Sequence, residues 1–331
     1  MVSRKTAKRK AVILLPVFII VAFVAFVINA VIVSVNLSKE PGADTQESSV
    51  ADSSADESSG NRGEGDEDDG EDDGEDDAPK TPVLLEKIDL QPVVNEWVSS
   101  VGGAKGVIIY DLNRSEVVGE YNADEEFATA SLYKLFAVYE GYRRVERGEW
   151  DPEEAVGWYG DSIAECLDSA IRSSDSSCAE PIWAMIGHDE LDEIVAGDYG
   201  ISGADVSHLA ATPRAVMLMM KRFYEHPDFT DEAMVARMWD SFLNQPVVNG
   251  YDWRQGLPSG FSEAALVYNK VGWQWSQEED GSNGHWVVYD DAAIVKFPEV
   301  NRNLIVVVMT SNVRYQSIRE FGAMIEAAIL K

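Results

Sequence analysis

Residues 127–134 read Phe-Ala-Thr-Ala-Ser-Leu-Tyr-Lys. They sit where a β-rich stretch gives way to a helical one. In front are two runs of strand formers, 105–111 (KGVIIYD) and 115–121 (SEVVGEY), separated by Leu-Asn-Arg as a hairpin would be. Behind come helical patterns over 131–147, 162–172, 176–187, 212–225 and 230–244. Thr212-Pro213 makes a good helix start, a capping hydroxyl followed by proline in the first turn.

Working outward, 84–101 has Leu90, Val93, Val94, Trp97 and Val101 at helical spacing. Three further strand-like runs follow the helical block, at 264–273, 285–296 and 303–311, and 315–331 closes the chain as a helix. The order helix, two strands, helices, three strands, helix predicts an α+β fold. Its antiparallel sheet of about five strands is flanked by the terminal helices, with an inserted all-helical lobe. A cleft between sheet and lobe is the natural place for a site.

The chemistry has few places to sit. No G-x-S-x-G elbow, phosphate-cradling glycine loop or H-E-x-x-H appears. His188, His208, His226 and His285 are scattered without metal-ligand spacing, so no metal or cofactor is expected. A hydrolase built here must activate its nucleophile without histidine. Ser131 and Lys134 offer a way, because residues three apart at a helix start share a face. The lysine must be neutral to take a proton, so burial or a nearby positive charge has to lower its pKa. The helix N-terminus supplies N–H groups suited to an oxyanion. The same pair also occurs as an ordinary serine cap with a lysine on the next turn.

Two later elements give the pair a context. Ser174-Asp175-Ser176 lies 43 residues on, at a helix–helix junction, and Lys270-Val271-Gly272 lies 96 further, at the end of a strand. In this order the three segments resemble the S-x-x-K, S-D-N and K-T-G signatures of the penicillin-recognising serine hydrolases, which include class A β-lactamases and D-Ala-D-Ala peptidases. The resemblance covers nearly all of 95–331. Gly106 through Tyr121 to FATASLYK is similar to the family's opening, and Arg147-Gly148-Glu149, Ala211-Thr212-Pro213-Arg214 and Asp290-Asp291-Ala292-Ala293-Ile294-Val295 stand where the family has comparable segments.

The resemblance implies a role for each matching residue. Ser131 would be acylated, Lys134 would be its base, and Ser174 would pass a proton to the leaving nitrogen. Lys270 would anchor the substrate and depress the basicity of Lys134. Ser176, Val271, Gly272 and Trp273 would line the substrate site, with the N–H groups of Ser131 and Trp273 as oxyanion hole. The substrate would be a β-lactam or a peptidoglycan stem peptide ending in D-Ala.

Three departures qualify this. Ser176 replaces the asparagine and Val271 the K-T-G threonine, and no E-x-x-L-N segment lies between Ser174 and Thr212. That glutamate drives water onto the acyl-enzyme in class A β-lactamases; Asp192, Glu193, Asp198 and Asp205 lie nearby out of context. Acylation with slow deacylation is the expectation, and a non-catalytic binding protein on the same fold is the alternative. Cys166 and Cys178 bracket the Ser174 junction, where a bend would bring them within disulfide reach; two buried free thiols are the other possibility. Trp273, Trp275 and Trp286 would either wall the cleft or pack across strands, Trp158 and Tyr159 would gate the cleft or do nothing there, and Met217, Met219 and Met220 read as core.

The rest of the chain is organised by charge. Of the formal −31, residues 1–10 carry +5, residues 36–82 carry −14 and residues 83–331 carry −22. This balance excludes an electrostatically driven nucleic-acid binder. Residues 11–35 hold no charge and as a helix would run roughly 37 Å, enough to span a bilayer. With the basic flank first, this predicts a transmembrane signal-anchor with a cytoplasmic tail (1–10) and an extracytoplasmic domain (83–331); a cleaved signal peptide is the alternative. Residues 36–82, with the run EDDGEDDGEDD at 67–77, read as a disordered acidic linker. Asp69, Glu71, Asp73 and Gly74 imitate a calcium loop, but its twelfth position is Lys80.

Overall fold

The computed structural model describes residues 85–276 and 284–331. All belong to the second of two compact units, 77–331. The basic tail, the apolar segment 11–35 and the acidic linker 36–82 lie outside the described residues. Among the described residues no helix is long and apolar enough to cross a membrane.

The main elements run α1 (Gln91–Ser100), β1 (Ala104–Asp111), β2 (Glu116–Tyr121), α2 (Tyr133–Glu146), α3 (Ile163–Arg172), α4 (Ser176–Ile186), α5 (His188–Gly197), α6 (Pro213–Glu225), α7 (Glu232–Leu243), β3 (Leu266–Ser276), β4 (His285–Phe297), β5 (Arg302–Ser311) and α8 (Tyr315–Ile329). The five strands form one antiparallel sheet in the order β2-β1-β5-β4-β3. The chain is α+β, as the order of elements predicts.

Alternation along the strands divides the apolar side chains between two cores. Val107, Ile109, Val306 and Val308 face α1 and α8, where Val94, Trp97, Phe321 and Ile325 cover them. Ile108, Ile305, Val307 and Met309 face the helical lobe and meet Phe136, Tyr139, Met219 and Phe223. Trp97 joins the two terminal helices, its ring tilted against Phe321 at 4.8 Å between centroids and its indole N–H donating to Ser317 O at 2.7 Å. Met217, Met219 and Met220 are buried in the lobe as expected.

The β1–β2 hairpin turns on Asp111. One carboxylate oxygen accepts the N–H groups of Asn113 and Arg114, and the other takes Arg302 at 2.6 Å in a buried ion pair. The helix caps are equally local. Ser162 and Glu165 form a capping box at α3, Asp175 caps α4, and Thr212 accepts from Ala215 N at α6.

Some boundaries differ from expectation. The first helix starts at Gln91 rather than 84, with Pro92 in its opening turn, where a missing N–H costs nothing. Helix α5 was not anticipated, because only Leu191 and Val195 are buried in its acidic ten residues. The third strand run does not end at 273. It continues to Ser276 because Trp273 and Trp275 pair with Tyr289 and Trp286, extending the ladder.

Candidate active site

Ser131 lies in a 3₁₀ turn, Ala130–Leu132, that leads into α2. Ala130 has φ +41°, in the left-handed region that a Cβ disfavours, so the surrounding packing holds the turn in place. Part of that packing is β3. A Cβ on Gly272 would lie 2.4 Å from Thr129 O and 3.2 Å from Leu132 N. Glycine is what lets the strand pass directly against the serine turn.

Lys134, the second residue of α2, is fully buried. Its Nζ crosses to the α3–α4 junction, donating to Ser174 O at 2.5 Å and Ser176 Oγ at 3.0 Å, with Ser174 Oγ at 3.5 Å. Lys134 is thus hydrogen-bonded to both serines of that junction. The reason lies at the junction: Ser174 has φ +55°, and Ser169 O collects the N–H groups of Ser173 and Asp175, turning Ser174 inward. From the other side Lys270 Nζ, also buried, donates to Ser174 Oγ at 2.9 Å and to Val271 O at 2.6 Å. Ser174 Oγ thus bridges two lysines on opposite walls.

Burial dominates the electrostatics. It lowers the Lys134 amine to about 8, against the opposing pull of the Glu180 and Asp175 carboxylates. Burial pushes Lys270 well below its ordinary range, with Lys134 adding repulsion and Asp291 opposing. Burial is the first cause of the depression of both amines, and the repulsion between them acts in the same direction. An amine brought near neutrality inside a hydrogen-bonded chain can exchange protons with it.

Val271 is buried and registers opposite Asp291, while Gly272 registers opposite Asp290. Trp273 sits in an aromatic group with Trp253 at 5.2 Å, Tyr289 at 5.5 Å and Trp286 at 6.0 Å. The tryptophans pack across strands, since Trp273 and Trp275 each pair with a ring on β4. Trp158 and Tyr159 are exposed before α3, and the Trp158 backbone N–H donates to Ser177 O. That carbonyl would ordinarily accept from residue 181, but Pro181 has no N–H to give.

Cys166 and Cys178 are disulfide-bonded, Cα atoms 4.6 Å apart, tying α3 to α4 on both sides of Ser174. With Asp161 they form the one group of potential metal donors among the described residues, but sulfurs bonded to each other offer no thiolate.

Three of the four carboxylates considered from sequence are engaged elsewhere. Asp192 accepts Val206 N and Ser207 N, Asp198 pairs with Arg143, Asp205 holds His208, and Glu193 is exposed. A carboxylate not singled out from sequence, Glu180, acts on Lys134 through space, and its Oε1 accepts from Tyr133 OH at 2.6 Å. Its signal was present in the sequence: Ser176 and Glu180 are four apart on α4 and so share a face.

No curated protein matches this sequence. Among solved structures, an ancestral class A β-lactamase from the last common ancestor of Gram-negative bacteria superposes with TM-score 0.60 at 17% identity, over 72% of this chain and 99% of that one. A class A β-lactamase candidate from Rhodopseudomonas palustris, PenP, gives TM-score 0.60 at 19% identity, over 72% and 99%. These likenesses establish the fold. The model of the beta-lactamase enzyme family matches residues 89–331, the sheet and the helical lobe together, and the chain therefore belongs to that family.

Proposed function

We propose that the protein is a membrane-anchored, extracytoplasmic serine hydrolase that acylates Ser131 with a β-lactam or a D-Ala-type peptide amide and releases the acyl group slowly. The observation that carries this reading is the chain Lys134–Ser174–Lys270, with Ser174 Oγ 2.9 Å from one lysine and 3.5 Å from the other. Ser131 Oγ adds to the amide carbonyl and its proton goes to neutral Lys134. The C–N bond breaks as Ser174 hands a proton to the leaving nitrogen and is reprotonated within the lysine pair. Water then hydrolyses the ester. Ser176, Val271, Gly272 and Trp273 would line the substrate, with N–H groups of Ser131 and Trp273 receiving the oxyanion.

Slow release is supported by the partners of Asp192, Asp198 and Asp205, all engaged away from the lysine pair. Anchoring is supported by the uncharged stretch 11–35 behind a basic flank. The competing reading, a non-catalytic binder, draws support from Lys134 bonding to Ser174 and Ser176 rather than to Ser131. Intact-protein mass followed over time after β-lactam exposure decides between them. An adduct on Ser131 that persists, preceded by a burst of product, is expected. Hydrolysis at many turnovers per second would overturn slow release, and no adduct on folded protein would favour the binder.

A further inference from the structure

Glu180 belongs to none of the segments that carry the family resemblance, yet it lies one helical turn from Ser176, which the buried lysine reaches. Helix α4 presents Ser176 and Glu180 on one face, four residues apart. Ser176 Oγ receives Lys134 Nζ at 3.0 Å, and one turn on, Glu180 Oε1 receives the hydroxyl of Tyr133, the residue next to Lys134, at 2.6 Å. The Tyr133 ring lies 5.8 Å from Lys134 Nζ and 4.6 Å from the Trp183 ring, which keeps it in place. Tyr133 is itself buried, and burial together with Glu180 pushes its hydroxyl up, so it stays a neutral donor. The carboxylate is thereby fixed toward α2 rather than free to turn to solvent.

We propose that Glu180 is a positioning residue that holds Lys134 in its protonated form and so restrains acylation at neutral pH. This rests on the reading of Lys134 as the base for Ser131. The groups facing Lys134 are few. From the α3–α4 junction and α4 come Asp175 and Glu180, from β3 comes Lys270, and from its own helix comes neutral Tyr133; Asp291 on β4 acts on Lys270 from behind. Asp175 has its Oδ1 committed to Ser177 N and Oγ as the cap of α4. That leaves Glu180 as the removable negative charge. Tyr133 anchors it, Lys134 senses it, and burial of the lysine makes the interaction count.

The test is Glu180→Gln. The amide is nearly isosteric, and its oxygen still accepts from Tyr133 OH, so the fold is preserved while the charge is lost. With Lys134 near 8, about a tenth of it is neutral at pH 7. Losing one nearby carboxylate shifts such a group by roughly one pH unit. The acid limb of the acylation rate should move down by about one unit, and the rate at pH 7 should rise about fivefold. Glu180→Asp, which keeps the charge, should restore most of the wild-type profile. An unmoved acid limb, or a change confined to deacylation, would overturn the proposal. A carbon-13 NMR titration of the Lys134 side chain in wild type and Glu180→Gln reads the same shift without substrate. If the wild type is not acylated at any pH, the reading of Lys134 as base fails, while the NMR shift still reports whether Glu180 controls its charge.

Discussion

Lys270 Nζ and Ser174 Oγ meet at 2.9 Å, joining the third strand of the sheet to the junction of two helices in the lobe. The bond closes the site across its two walls and fixes Ser174 where Lys134 also reaches it. Ser174→Ala keeps both amines but removes the hydroxyl between them. Acylation by a labelled penicillin should slow by roughly 10²-fold, the usual contribution of a positioned proton donor. Ser131→Ala should abolish the adduct altogether. Gel fluorescence with each variant over time checks both, and labelling that persists in Ser131→Ala would remove Ser131 as the nucleophile.

Gly272 sets the distance between β3 and the serine turn. In Gly272→Ala the new methyl would meet Thr129 O at 2.4 Å, a backbone atom that cannot swing aside. A loss of about 1–3 kcal/mol is expected from the forced shift. Acylation should fall with it, because Lys270 moves with the strand. Urea unfolding and penicillin labelling of the same preparation measure the two effects, and an unchanged midpoint would contradict the contact.

The disulfide Cys166–Cys178 closes a short loop around Ser174. Replacing both cysteines with serine should cost ~2–3 kcal/mol in global stability. Ser174 should also become less well placed, lowering the acylation rate more than substrate affinity. Denaturant titrations with and without reductant give the first number. A stability unaffected by reductant would show that the bond contributes little.

Asp290 and Asp291 are adjacent buried carboxyls on β4, and burial raises both, Asp291 to about 7 and Asp290 well above the ordinary range. Asp290 Oδ1 accepts Thr310 N at 2.7 Å, while its Oδ2 is buried without a partner. The sign follows from linkage. The unfolded chain ionises these groups near 3.8 while the folded chain keeps them protonated, so the folded state binds more protons. Stability therefore falls as pH rises from about 4, by roughly 1.4 kcal/mol per pH unit per group, ending near pH 7 for Asp291. Asp290→Asn removes one of these slopes and should gain on the wild type steadily between about pH 5 and pH 7. Parallel chemical denaturation across that range tests it; a constant difference would mean Asp290 does not titrate on unfolding.

Much of this was legible in the chain. Near-continuous apolar runs in KGVIIYD and NLIVVVMTS mark strands buried on both faces, and helical spacing marks α2, α3 and α6. Residues such as Thr212-Pro213 and the Ser162–Glu165 box announce helix starts because their partners are at most three residues away. The order of Ser131, Lys134, Ser174 and Lys270 needed no coordinates either. Helix α5 was hidden, since two buried side chains in an acidic decapeptide leave almost no pattern.

The local order of elements was thus set by short-range information, namely periodicity, capping and spacing, and the candidate site residues were marked by three short segments that resemble the family's signatures. What the tertiary structure alone decided is how those side chains face one another. It turned Lys134 toward Ser174 and Ser176, placed Lys270 on the far side of the same hydroxyl, and drew Glu180 in through Tyr133. Those relationships span 40 to 96 residues, and they depend on two packed walls excluding water. That exclusion is also what brings a lysine down to about 8, and no spacing along the chain encodes it.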